Sequence, residues 1–250
     1  MRVLAVIPAR LASTRLPRKP LREIAGRPML AHVYEAVRSS PLLRAEDVVV
    51  ATDAEEIAHL CRTCGWEFML TSAGHRSGTE RVNEVAGRIA ADVYLNIQGD
   101  EPMTRPEHIA ALLALMRDAA VQVGTLKTPA GAADVNNPNA VKVVTDAAGR
   151  ALYFSRATIP FDRDATGETR YFKHLGFYAY RPEALARFCR LPESPLERSE
   201  RLEQLRFLEN GVAIYVGETP FDTVGVDTEE DLRRVEQILV RRQQKARNFK

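Results

Sequence analysis

Residues 2–8 read Arg-Val-Leu-Ala-Val-Ile-Pro, apolar at every position from Val3 to Ile7. A strand with one wet face alternates apolar and polar residues, whereas a strand covered on both faces reads as a continuous apolar run. The segment therefore predicts a strand enclosed by helices. Similar runs recur at Asp47–Thr52 and Asp92–Gln98, with helical patterns between them at about Pro28–Arg38, Ala54–Cys64 and Thr79–Ile89. Strand and helix thus alternate from Val3 to Gln98, which predicts an α/β fold on a parallel sheet with right-handed crossovers. Ligands bind such sheets beyond the carboxyl ends of the strands, so the segments after Ile7 and Ile97 are where chemistry is sought.

The pattern changes after about Val121. Strand-like segments follow at Val121–Thr128, Ala140–Asp146, Ala151–Phe154 and His174–Tyr180 with few helices between them, which predicts a mixed or antiparallel region. Pro182–Arg190 and Leu196–Asn210 read as helices, Val212–Gly217 as a strand and Thr228–Arg241 as a closing helix. Thr228-Glu229-Glu230-Asp231 forms a capping box at its start, and Leu232, Val235, Ile238 and Leu239 give its apolar stripe. With no repeat, low-complexity tract or linker, residues 1–250 are expected to form a single domain.

A chain of 250 residues that is 45% hydrophobic can bury a large core, which excludes a fibrous or disordered reading. Its apolar runs stop well short of the ~18 residues a membrane span needs. No secretory pattern of apolar segment and small-residue cleavage site opens the sequence, so a cytoplasmic protein is expected. The net charge of +2 conceals a basic end: the last ten residues, RRQQKARNFK, carry five positive charges and leave the remainder net negative. That end reads as a solvated helix terminus, with no interleaved aromatics of the kind single-strand binders use. Cys61 and Cys64 form a CxxC, but no second pair completes a zinc site, so they read as buried or idle thiols.

Three segments carry candidate chemistry. The loop after the first strand, Pro8 to Pro20, holds Arg10, Arg15, Arg18 and Lys19. It is neither a dinucleotide fingerprint nor a P-loop, yet its cations suit a polyphosphate as well as they suit a solvated surface. Asn96-Ile97-Gln98-Gly99-Asp100-Glu101-Pro102 leaves a buried strand and presents Asp100 at its end. A strand-end aspartate with one distant carboxylate partner is enough for magnesium, which keeps several waters, although Gly-Asp and Pro are also turn residues. Asp227, in Gly225-Val226-Asp227-Thr228, is the candidate partner or else part of a helix start. His75 to Arg81 opens the third helix, where Ser77 or Thr79 either caps the helix or lines an anion or base site.

Taken together, these segments resemble the 3-deoxy-manno-octulosonate cytidylyltransferases, the CMP-Kdo synthetases. The matching stretches are IPAR…STRLP.KPL at Ile7–Leu21, SGTERV at Ser77–Val82, N.QGDEPM at Asn96–Met103, NPNAVKVV at Asn137–Val144, ALYFSRATIP at Ala151–Pro160, HLG.Y.YR at His174–Arg181, SPLE…LEQLR at Ser194–Arg206 and GVDT at Gly225–Thr228. Arg18 stands where that family usually has Gly, and the approach to GVDT, Thr219 to Val224, departs from its usual form and adds Asp222. The resemblance implies a three-layer nucleotide-binding sandwich of the nucleotide-diphospho-sugar transferase type, with a mostly parallel mixed sheet. It also implies a smaller mixed-sheet sugar-binding and dimerisation region at about 121–210, and a homodimer.

The implied reaction is transfer of CMP from CTP to Kdo with release of pyrophosphate, for lipopolysaccharide biosynthesis, with Mg2+ as cofactor. By the same resemblance Arg10, Arg15 and Lys19 hold the triphosphate, with Arg15 and Lys19 also catalytic, and Ser77 and Gln98 contribute to the CTP site. Asp100 and Asp227 hold the metal. Gln98, Arg156, His174, Tyr178, Glu203 and Gln204 form the sugar site. Two other readings stay open: a cytidylyltransferase for another acidic sugar such as sialic acid, and a silent nucleotide-binding protein, which would have no need for both aspartates. Neither nucleic-acid binding nor membrane insertion is expected.

Overall fold

The computed structural model describes residues 1–13 and 15–248, with the side chains at 243 and 245–248 outside that description. The far end of the basic tail therefore lies outside the described residues. Strand β1 (Val3–Ala9) runs through a 3₁₀ turn at Lys19–Leu21 and a small hairpin, β2 (Glu23–Ile24) and β3 (Arg27–Pro28), into helix α1 (Met29–Arg38). Then come β4 (Val48–Thr52), α2 (Glu55–Cys64), β5 (Phe68–Leu70), α3 (Gly78–Ala86), β6 (Val93–Asn96) and α4 (Pro106–Leu115). The second half contains β7 (Val123–Pro129), α5 (Ala132–Val135), β8 (Lys142–Thr145), β9 (Ala151–Ser155) and β10 (Phe172–Tyr180). It closes with α6 (Pro182–Arg190), α7 (Pro195–Glu200), α8 (Gln204–Glu209), β11 (Ile214–Glu218) and α9 (Glu229–Asn248).

One large sheet runs in the order β11-β7-β10-β6-β1-β4-β5. The pairs β1–β4, β1–β6, β4–β5 and β7–β11 are parallel, while β10 is antiparallel to both its neighbours. Every residue of β1 is buried, and successive side chains enter different cores. Val3, Ala5 and Ile7 pack in one cluster with Leu30, Val33 and Leu112, and Leu4 and Val6 in a second with Val82, Val85, Leu185 and Phe207. Those two layers make a three-layer sandwich and explain the unbroken apolar run.

Strand β10 forks the sheet. Its carboxyl end, Tyr178–Tyr180, pairs with β6, and its amino end meets β8 at Lys173. A register shift between Leu175 and Tyr178 on the β7 side marks the bend. The expected smaller sheet is accordingly an extension of the main one, through β8 and β9.

Three expectations need correction. Helix α4 escapes the periodic reading because Ile109-Ala110-Ala111-Leu112-Leu113-Ala114-Leu115 has no continuous polar face; it packs into the core against β7, β10 and β11. Strand β5 is too short to stand out. The helix expected across Leu196–Asn210 is two helices, because Arg201 adopts a left-handed conformation (φ 54°) and breaks the run. Cys61 is buried on α2, and burial pushes its thiol up to about 12, which leaves it unreactive; Cys64 is exposed.

Candidate active site

Two adjoining cavities, of about 490 and 680 Å3, open beyond the carboxyl ends of β1 and β6 and share Arg15, Gln98, Glu203 and Asp227 in their walls. The smaller is lined by Arg10, Arg15, Lys19, Ser77, Gln98 and Asp100, drawn from the β1 loop, the start of α3 and the loop after β6. The larger lies in the fork of β10, where His174, Tyr178 and the start of α8 face it. Gly99 is required where these strand ends cross: a Cβ there would lie 2.9 Å from the Pro8 carbonyl oxygen.

At the junction the ammonium of Lys19 bridges the two aspartates, 2.6 Å from Asp100 Oδ2 and 2.9 Å from Asp227 Oδ1, and Arg15 Nη2 lies 3.0 Å from Asp227 Oδ2. Main chain stitches the two carboxylate-bearing loops together, since Val226 N–H donates to the Asp100 carbonyl at 3.0 Å. Gly225 permits this approach, because a Cβ there would meet Glu101 Oε1 at 3.1 Å. Asp227 contributes only main chain to the helix cap, its N–H donating to Asp231 Oδ2 at 3.1 Å; Thr228 and Asp231 exchange the capping hydrogen bonds, which leaves the Asp227 carboxylate turned to Lys19 and Arg15.

Partial burial alone would raise the Asp227 carboxyl, but the Lys19 hydrogen bond and charge, with Arg15, hold it below the usual carboxylate range. Burial likewise opposes the charge on Lys19, and the two aspartates override it and raise the ammonium. Glu101 is the contrasting acid: burial first, then the charge of Asp100, push it up to about 8. Asp100 and Asp227 are hard oxygen donors, and no group of three or more metal-ligating side chains forms among the described residues. Such a pair fits magnesium, which takes one or two carboxylates and completes its shell with waters and phosphate oxygens.

Arg18 sits at φ 58°, the left-handed region where Gly is at ease, and pairs with Glu56 at the surface. The departure from Gly at this position thus retains the backbone conformation Gly would favour. Ser77 caps α3, accepting from Glu80 N–H at 3.3 Å, and also lines the smaller cavity.

The larger cavity is walled by polar groups held from behind. His174 Nε2 lies 2.8 Å from Thr125 Oγ1, and desolvation lowers its pKa to about 3, keeping the ring neutral. Tyr178 packs against His174 and stacks on Tyr180, and burial raises its phenol well above the usual value. Glu203 Oε2 accepts from Thr79 Oγ1 at 3.0 Å, and burial raises its carboxyl. Asn96 Nδ2 and Gln204 Nε2 are buried donors without partners, and both residues line this cavity. Unpaired buried donors are costly, and a ligand rich in hydroxyls and carboxylate oxygens would satisfy them.

The motif SPLE…LEQLR builds this wall. Ser194 N–H donates to Glu197 Oε2 at 3.1 Å at the start of α7, and Glu197 also pairs bidentately with the buried guanidinium of Arg206, at 2.7 and 2.5 Å. Leu202 and Leu205 enter the core, which turns Glu203 and Gln204 toward the cavity.

Arg156 does not line the cavity. Its guanidinium donates to the carbonyls of Glu200 and Pro138 at 2.7 and 2.9 Å, so the structure gives it the work of tying β9 to the α7 turn. The buried ammonium of Lys142 does similar work, donating to the carbonyls of Asn137, Ala140 and Arg156. Sequence reasoning missed Asn96, Glu101 and Lys173, which line the larger cavity. Glu101 and Asn96 flank the quoted QGD segment; Lys173 carried no local signal.

The family model for cytidylyltransferases matches residues 4–214. A 3-deoxy-manno-octulosonate cytidylyltransferase of Koribacter versatilis (strain Ellin345) is 68% identical over 96% of this chain and 90% of its own. That of Geobacter metallireducens (strain ATCC 53774 / DSM 7210 / GS-15) is 47% identical over 96% and 99%. The solved structure of CMP:2-keto-3-deoxy-manno-octonic acid synthetase complexed with CTP superposes with a TM-score of 0.91 at 42% identity, covering 97% of this chain and all of that one. A putative glucose-1-phosphate thymidylyltransferase from Bacillus anthracis shares the fold at a TM-score of 0.65 and 15% identity, over 94% of each chain.

Proposed function

The chain belongs to the 3-deoxy-manno-octulosonate cytidylyltransferase family, and on that premise we propose that it transfers CMP from CTP to Kdo, releasing pyrophosphate, with one substrate in each cavity. The observation that carries this reading is the junction: Lys19, Arg15, Asp100 and Asp227 stand where the two cavities meet. A triphosphate lying along the β1 loop brings its α-phosphorus there, and a sugar in the larger cavity brings its anomeric hydroxyl to the same point.

Arg10, Arg15 and Lys19 hold the triphosphate oxygens through charge-assisted hydrogen bonds, and Ser77 with its neighbouring main chain lines the cytidine site. Gln98 stands at the boundary and reaches either substrate. Asp100 and Asp227 would hold Mg2+, which supplies neutralisation of the charge that develops as pyrophosphate leaves. Lys19 keeps a cation between the two carboxylates and can turn its ammonium to the phosphate oxygens when the ion is bound. His174, Tyr178, Glu203 and Gln204 orient the sugar hydroxyls, and neutral His174 offers one ring nitrogen as acceptor or donor. Arg156 serves from behind this site rather than in it.

A homodimer is in keeping with Leu152 on β9 and Phe161 in the following loop, which stand 62% and 84% exposed. Among the described residues no helix is long and apolar enough to cross a membrane. The alternative of a sialic acid as acceptor is less well supported, since the relatives compared are named for Kdo. Incubation with CTP, Mg2+ and a panel of acidic sugars, read by pyrophosphate release, tests the proposal. Kdo should be the preferred acceptor; equal turnover of a sialic acid would overturn the substrate assignment while sparing the reaction class.

A further inference from the structure

Asp227 is carried by a segment, residues 219–228, with no regular secondary structure. An irregular segment holds a carboxylate at a fixed point only if its main chain is tied down. On the carboxyl side the ties are the Val226 N–H to the Asp100 carbonyl and the burial of the Val226 side chain. On the amino side Thr219 N–H reaches the Lys127 carbonyl, and His108 Nε2 meets the Phe221 carbonyl at 2.9 Å. Between them lies Lys173 of β10, 9% exposed.

The Lys173 ammonium donates to the Thr223 carbonyl at 3.0 Å and pairs with Asp222 Oδ1 at 2.5 Å, with Asp134 Oδ2 at 3.9 Å. Asp222 Oδ1 also accepts from Thr223 N–H at 2.8 Å. One cation therefore clamps the Asp222 carboxylate and the Thr223 carbonyl, five and four residues before Asp227. The same strand presents His174 and Tyr178 to the larger cavity, and Lys173, Thr223 and Gly225 line that cavity too.

We propose that Lys173 is a positioning residue: through Asp222 and Thr223 it fixes the Asp227 segment against Asp100, tying the cation-binding carboxylate to the strand that faces the sugar. This rests on the reading of Asp227 as a metal ligand. Asp222, the carboxylate absent from the usual family form, is then the surface half of the clamp.

The test is Mn2+ binding, followed by the electron paramagnetic resonance of free Mn2+, to the full chain with CTP and no sugar, so that nothing turns over. Lys173→Met keeps the bulk of the side chain and removes its charge. Asp222→Asn keeps an acceptor for Thr223 N–H and, at a half-exposed position, does not threaten folding. Both should weaken Mn2+ binding, Lys173→Met by about ten- to a hundredfold as for other groups that orient a ligand, with a fall in kcat larger than the rise in KM for CTP. Lys173→Arg should recover part of the affinity. Unaltered Mn2+ binding in a folded Asp222→Asn and Lys173→Met, alongside a large loss in Asp227→Asn, would overturn the clamp alone. Unaltered binding in Asp227→Asn would overturn the ligand reading and the clamp with it.

Discussion

The two halves of the cleft are built on different principles. The nucleotide half displays charges on loops that leave strand ends directly: Arg10, Arg15 and Lys19 follow β1 within a dozen residues, and Asp100 stands four residues after β6. The sugar half has its ligand-facing groups held by partners far away in sequence. Glu203 is held by Thr79, His174 by Thr125, and the α7–α8 turn by Arg156. A half made of loop-borne charge should fail chemically when altered, and a half made of buried tertiary bonds should fail structurally.

The largest effect should come from Glu197→Ala. Removing one member of a buried, hydrogen-bonded pair strands the Arg206 charge and costs about 3–5 kcal/mol, enough to show as a clear drop in the urea midpoint. A loss no greater than that of a surface substitution would break the comparison from the structural side.

Next come Asp100→Asn and Asp227→Asn. Each should lower kcat by on the order of a hundred- to a thousandfold, comparable to deleting one group that stabilises transition-state charge, while circular dichroism stays unchanged. Full activity in either would break the comparison from the chemical side. Lys19→Ala should cost less, about ten- to a hundredfold in kcat/KM for CTP, in line with the loss of hydrogen bonds to charged groups worth roughly 1.5–3 kcal/mol.

A pH series sharpens the contrast further. Burial lowers His174 from 6.5 to about 3, so between those values the unfolded chain binds a proton that the folded chain refuses. Stability should therefore fall as pH drops from 6.5 toward 3, by at most about 1.4 kcal/mol per unit from this group and less to the extent that the ring meets cleft water. His174→Gln should flatten that slope in urea titrations at successive pH values; an unchanged slope would show that other groups carry it. The smallest effect belongs to Arg18→Gly. Relief of the left-handed conformation and the added freedom of the unfolded chain oppose each other, so stability should move by less than about 1 kcal/mol, with kcat unaltered.

Legibility in the sequence followed the same division. The β1 loop, Asp100 and the α/β alternation were readable because their signals are local: an unbroken apolar run, then charge. Asp227 could be read as a ligand or a cap, and only the Thr228–Asp231 exchange shows that the cap does not use its carboxylate. On the sugar side, Glu203 and Gln204 are candidates through the LEQLR resemblance and not from periodicity, which runs across the break at Arg201. Arg156 lies outside the cavity wall, and an arginine at the end of a strand looks the same in sequence whether it meets a ligand or backbone carbonyls. Helix α4 was invisible for the opposite reason, being buried on too many sides to keep a polar stripe.

The division of the cleft itself is tested most directly by the KM for each substrate in two variants, Arg15→Ala on the nucleotide side and Gln204→Ala on the sugar side. The account predicts that Arg15→Ala raises KM for CTP by about tenfold or more with KM for Kdo unchanged, and that Gln204→Ala does the reverse. Loss of CTP affinity in Gln204→Ala, or of Kdo affinity in Arg15→Ala with CTP unaffected, would contradict it.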